Sequence, residues 1–163
     1  MATATKEQSK GFEVVRGITI PHLDGKRTFV YPFEGPNNYQ TVGKNLTSQG
    51  LYRPTMAEIV SLVYTAWHKP KGELESETIG KLKSNYLWAF NRLLWGKNGV
   101  YIADDNGDDL LDARNLSNLE ELLKKGLKAG DPRIRFVPYD FNVGEQTSLE
   151  LSKNTFMIGL AGK

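Results

Sequence analysis

Apolar positions in this chain alternate in some stretches and recur at helical spacing in others, and the changeovers mark the predicted elements. Between Phe12 and Ile20 the residues Val14, Arg16, Ile18 and Ile20 interleave with Val15, Gly17 and Thr19, and Lys26 to Tyr31 supplies a second β-rich run. Asp24-Gly25 between the two runs predicts a type I′ hairpin, because both central residues tolerate positive φ. A second hairpin is predicted where Gly99 to Asp105 leads into Asn106-Gly107 and returns through Asp108-Asp109-Leu110-Leu111.

Helical spacing fills the interval between the hairpins. Thr55 and Glu58 have the separation of a capping box, and Met56, Ile59, Val60, Val63 and Trp67 form a stripe, so a helix is expected up to His68, where Lys69-Pro70-Lys71-Gly72 breaks it. A longer helix is expected from Ser76 to Trp95, stopped by Gly96. In a third, Ser117 is the cap, Glu120 its partner, and Leu119, Leu122 and Leu123 the buried side. Arg133 to Tyr139 alternates as a strand, Thr147 to Lys153 suits a short helix, and Phe156 to Leu160 reads as a last strand.

This order is not a regular βαβ alternation, and the expected fold class is therefore α+β. We expect a single domain over residues 11–163, with two β-hairpins, three main helices and C-terminal strands in a mixed or antiparallel sheet. Met1 to Lys10 lacks any large apolar side chain after the initiator, and is expected to be a flexible arm.

Composition narrows the chemistry. A chain of 163 residues with 39% hydrophobic positions can bury roughly 70% of its unfolded surface and needs no disulfide or structural metal to hold a core. Zero cysteines remove thiolate nucleophiles, Cys-ligated zinc and iron–sulfur clusters together. His22 and His68 are the only histidines, so one chain cannot build a three-histidine metal site. Asp104, Asn106 and Asp108 alternate like the first ligands of an EF-hand loop, yet Asp109 stands where that loop needs glycine and Asn115 where it needs glutamate. Gly43-Lys44 is followed by Asn45 where a phosphate-binding P-loop requires Ser or Thr. No metal and no cofactor are expected. The polar N-terminus has no signal-peptide core and no apolar run approaches the roughly 20 residues of a membrane span, so no membrane partner and a cytoplasmic location are expected.

Net charge is only +2, but it is unevenly spread. Residues 1–99 carry 13 basic and 8 acidic side chains, a net +5, against 8 basic and 11 acidic over residues 100–163, a net −3. Lys124, Lys125, Lys128, Arg133 and Arg135 gather five cations that would either contact phosphates or form a solvated face.

The most informative candidate is a row on the predicted long helix. With Ile79, Leu82, Tyr86, Phe90 and Leu93 as its core face, the residues Lys81, Asn85, Trp88, Arg92 and Trp95 line up on the opposite side. Tryptophan and arginine are the residue types enriched at interface hot spots, and indoles among cations also stack bases. A sandwiched helix with its tryptophans in the core is the competing structural reading. A second candidate joins Glu58 and His68 on the preceding helix with Tyr39 at the end of the aromatic Tyr31–Tyr39 loop. No nucleophile–base spacing demands catalysis, so the expected function is non-catalytic: binding of a protein partner or self-association into a homo-oligomer through the aromatic and cationic row. The alternative is binding of a nucleotide or single-stranded RNA, including a hydrolase using Glu58, His68 and Arg92.

Overall fold

The computed structural model describes residues 16–23, 25–69, 72–107 and 116–162. The fold class is α+β, with one two-stranded and one three-stranded sheet, both antiparallel, and six helices among the described residues. Two compact units divide it. One comprises the chain up to Leu51 together with Glu58–Trp88, the other Tyr52–Ala57 together with the chain from Ala89 onward.

In the first unit the alternating runs form the expected hairpin, β1 (Arg16–His22) against β2 (Gly25–Tyr31). The turn falls one residue earlier than expected: Gly25 is paired with His22, so the two residues between the strands are 23 and 24 and Gly25 is the first residue of β2 instead of a central turn residue. The inward residues Ile18 and Ile20 pack with Leu62 and Leu74 from the neighbouring helices, joined by Phe29, Tyr31, Phe33 and Leu87. Helix α1 (Tyr39–Ser48), absent from the sequence reading, is started by Asn38, whose side chain accepts a hydrogen bond from the Thr41 amide. Helix α2 (Met56–His68) has the expected bounds, but its buried side is Leu62, Thr65 and Ala66, while Val60 and Trp67 of the expected stripe face outward. Helix α3 (Glu73–Ser84) places Glu73 and Glu75 in its first turn, the favourable end of the dipole.

The second unit is built on three strands, β3 (Asn91–Trp95), β4 (Gly99–Asp104) and β5 (Ile134–Pro138), in the order β3-β4-β5. Alternation splits β4 between two cores. Tyr101 and Ala103 point to one side with Leu94, Ile134 and Phe136, where Leu119 and Leu123 of α4 (Leu116–Lys128) cover them. Val100 and Ile102 point to the other side with Val137, where Phe141 and the final helix, α6 (Thr155–Ala161), pack through Phe156 and Leu160. The sheet thus lies between α4 and α6. Gly159 permits the close approach of α6, since a Cβ there would stand 2.7 Å from Val137 and 3.1 Å from Ile102. Helix α5 (Ser148–Lys153) carries a capping box between Thr147 and Glu150 and precedes α6 directly.

Three expectations are corrected here. The helix expected over Ser76 to Trp95 ends at Ser84, and residues 91–95 are strand β3. Asn85 turns the chain out with φ −142° and ψ 163°, while Ser84 and Asn85 side chains bond back to the carbonyls of Gly80 and Lys81, local bonds that compete with further helix. Gly96 is then no helix cap but the partner of Gly99 across the two-residue turn into β4. Phe156 to Leu160 is helical because Asn154 caps it, accepting from the amides of Phe156 and Met157; a short apolar run does not by itself distinguish a strand from a buried helix. Leu122 is exposed and the buried side of α4 is Leu119 and Leu123. The N-terminal arm, the returning half of the second hairpin at 108–111 and EF-like positions Asp108, Asp109 and Asn115 lie outside the described residues.

Candidate interaction surface

Strand β3 is an edge strand, and hydrogen-bond parity shows which of its groups face outward. The Gly96 amide donates to the Gly99 carbonyl and the Asp105 amide to the Phe90 carbonyl, so even-numbered residues of this strand bond to β4. The N–H and C=O groups of Asn91, Leu93 and Trp95 consequently point away from the sheet, and among the described residues no strand pairs with them. The opposite edge is blunted differently. On β5 the Asp104 amide donates to Arg133, which places Pro138 at an outward position with no N–H to offer. Of the two edges of this sheet, β3 is the one with a complete row of outward donors and acceptors.

Apolar side chains flank that row. Leu93 and Trp95 share the α6 side of β3 and are 41% and 56% exposed, while Val100 and Ile102 of β4 and Val137 of β5 are buried under Phe156 and Leu160 of α6. Trp95 lies 13° from parallel with Tyr139 at a centroid distance of 6.2 Å, and contacts Phe141 and Phe156 at 6.4 and 5.8 Å. Tyr139 is tied down by donating its hydroxyl to the Gly96 carbonyl at 2.7 Å. The aromatic patch is therefore held on rigid strands and a helix, with its outer rings open.

On the α4 side, β3 contributes a cation. Asp105, 2% exposed, accepts 3.0 Å bonds from Arg53 Nη1, Arg92 Nε and the Gly107 amide. The Arg53 guanidinium also lies 5.6 Å over the Phe90 ring. Two guanidinium groups against one carboxylate leave the triad one positive charge in excess. Arg92 is held through Nε alone and is about one-third exposed, so its two Nη groups remain without a partner among the described residues. Asp104 forms a separate lock, accepting from both Nη groups of Arg135 and from Asn91 Nδ2, while Arg135 Nε donates to the Gly159 carbonyl at 2.6 Å.

The structure redistributes the predicted row. Lys81 is on α3, Asn85 is its C-cap, Trp88 follows in extended chain, and Arg92 and Trp95 are on opposite sides of β3. Trp88 donates its indole N–H to the Asn37 carbonyl at 2.9 Å and meets the Tyr39 ring edge-on at 5.8 Å, which pins the aromatic loop within the first unit. Tyr39 is thereby engaged with Trp88. Glu58 holds Arg27 Nε at 2.8 Å, and His68 stacks on Tyr64 at 4.3 Å with Nδ1 against the Tyr64 carbonyl. Ten residues of helix separate Glu58 from His68, a rise of about 15 Å, so α2 does not bring them together.

Sequence reasoning missed the outward edge of β3, the Arg53–Asp105–Arg92 triad and a pairing of His22 Nδ1 with Ser61 Oγ at 2.9 Å. These partners lie 13 to 52 residues apart, and no local signal joins them. The basic cluster is largely neutralised: Lys124 pairs with Glu120, Arg133 with Asp131 and Arg135 with Asp104. Hydrogen bonding to Glu120 raises the Lys124 ammonium pKa, and hydrogen bonds from the Arg133 side chain and amide hold the Asp131 carboxyl below its usual range. Among the described residues there is no group of three or more His, Asp or Glu side chains placed to hold a metal ion, and no helix is long and apolar enough to cross a membrane.

Compared with models of known protein families, with curated proteins and with solved structures, the chain matches none.

Proposed function

We propose that this chain is a non-catalytic interaction protein that binds a protein partner, a second copy included, through the β3 surface centred on Arg92, Leu93 and Trp95. The observation that carries the reading is the exposure of Leu93 and Trp95 side by side on an edge strand, backed by Tyr139. Contiguous exposed apolar surface costs solubility and marks interaction sites, and aromatic anchors beside an arginine are the composition of hot spots. The separation of Glu58 from His68 along α2 weakens the catalytic alternative.

Site-specific photo-crosslinking tests the reading. The chain is expressed in its native cells with Trp95→benzoylphenylalanine and, separately, with Tyr86→benzoylphenylalanine, because Tyr86 is 97% exposed and belongs to the first compact unit. Position 95 is expected to give a protein adduct of discrete mass that position 86 does not give. Crosslinking of position 95 to nucleic acid alone, or the same adducts from both positions, would contradict the proposal.

A further inference from the structure

We infer that the β3 surface takes its partner as an added strand, and that it selects an extended segment of the pattern apolar–any–apolar–acidic. The inference rests on reading β3 as an interaction surface and goes beyond it by naming how the partner binds and with what chemistry.

Three observations converge on the mode. The outward groups of Asn91, Leu93 and Trp95 are the main-chain donors and acceptors that strand addition consumes. The other edge of the sheet lacks one such donor at Pro138. Every strand pair among the described residues is antiparallel, and an incoming strand that continues this arrangement runs antiparallel to β3.

Register then assigns chemistry to each partner position. In an antiparallel pair, a residue directly opposite another projects its side chain to the same side of the sheet. A partner residue opposite Leu93 exchanges both main-chain bonds with it and projects onto the α6 side, beside Leu93, where an apolar side chain is matched. The residue two positions earlier in the partner falls opposite Trp95 on the same side and is matched by a second apolar side chain. The residue following the one opposite Leu93 falls opposite Arg92 and projects to the α4 side. There the guanidinium, oriented by Asp105 through Nε, has two Nη groups without a partner among the described residues, and Asp105 is shared between two guanidinium groups. A carboxylate is the group that this arrangement complements. Read from N to C, the partner segment is therefore apolar–any–apolar–acidic.

A fluorescein-labelled peptide containing Val-Thr-Val-Glu, titrated with the full chain and followed by anisotropy, tests the inference directly. The expected result is saturable binding, weakened at least roughly tenfold when the peptide glutamate is replaced by lysine. N-methylation of the valine preceding the glutamate removes the donor aimed at the Leu93 carbonyl and is expected to abolish binding, with the protein left untouched. Leu93→Pro removes the outward N–H but no bond to β4, so it is expected to abolish binding while the circular dichroism spectrum is retained. Equal affinity for the glutamate and lysine peptides, binding that survives N-methylation, or no binding of Val-Thr-Val-Glu at all would overturn strand addition with this selectivity. Loss of peptide binding alongside a protein adduct at position 95 would leave the interaction reading standing and refute only its mode.

Discussion

Replacing Asp105 tests whether the buried triad anchors Arg92 beside β3. Asp105→Ala removes one carboxylate and three 3.0 Å bonds, and leaves Arg53, whose side chain is only 13% exposed, without the Asp105 carboxylate. Breaking a buried charge pair from one side costs about 3–5 kcal/mol, because the remaining ion keeps its desolvation and loses its compensation. Asp105→Asn retains acceptor oxygen for the Gly107 amide but gives up the charge, for which about 1–3 kcal/mol is expected. Arg92→Ala should cost less than Asp105→Ala, about 2 kcal/mol, since Asp105 keeps Arg53 and Gly107 and the lost side chain was already partly hydrated. Urea unfolding followed by fluorescence and far-ultraviolet circular dichroism gives the three values. With a slope of about 2 kcal/mol per molar urea, the Asp105→Ala midpoint should fall by roughly 2 M at unchanged slope. A double-mutant cycle between Arg92→Ala and Asp105→Ala should show coupling of about 1 kcal/mol or more. A loss below about 1 kcal/mol for Asp105→Ala would refute the buried-anchor account.

Three further expectations follow from the same geometry. Asn154 caps α6 through its Oδ1 and donates Nδ2 to the Asn142 carbonyl and to Gln146 Oε1, so Asn154→Ala should lose about 2–4 kcal/mol in the same urea assay. Gly99→Ala would drive a methyl group into the Val137 carbonyl and to within 2.9 Å of Pro138 Cα; a backbone obstacle cannot swing aside, and thermal unfolding should register a loss of about 2 kcal/mol or more. The Asp131 carboxyl is held below its ordinary value of 3.8 by Arg133, so its stabilising contribution is complete above that value and disappears as pH falls through the lowered folded value. Asp131→Asn should accordingly narrow the difference in Tm between about pH 5 and about pH 2.5, and an unchanged difference would show that the pair contributes nothing.

Local pattern made much of the fold legible. The β1–β2 hairpin, the bounds of α2 and the strand near Arg133 follow from alternation, helical spacing and a Pro/Gly break, all properties of a few consecutive residues. The region from Asn85 to Trp95 reads as helix because its large side chains fall at spacings of three and four. What decides its conformation is non-local: the ladder with Gly99–Asp104, and the bond from Asn91 to Asp104. Phe156 to Leu160 reads as strand for a related reason, since apolar content does not reveal period, whereas Asn154 just before it is a helix-cap signal that the local sequence does carry. Arg92 and Trp95 stand out in the sequence as interaction-type residues, yet the feature that unites them is a sheet edge and not a helix face. Edge status depends on which strands pair, and parity depends on where the turn falls; neither is written in the composition of residues 91–95.

Amide hydrogen exchange resolved by residue in NMR spectra tests the central claim, an open β3 edge, most directly. In the free chain the amides of Arg92 and Leu94, which bond to β4, should be protected, and those of Leu93 and Trp95 should exchange at least an order of magnitude faster. Addition of the Val-Thr-Val-Glu peptide should then slow Leu93 and Trp95 selectively. Equal protection of all four amides in the free monomer would mean that the edge is already filled, and would contradict the account.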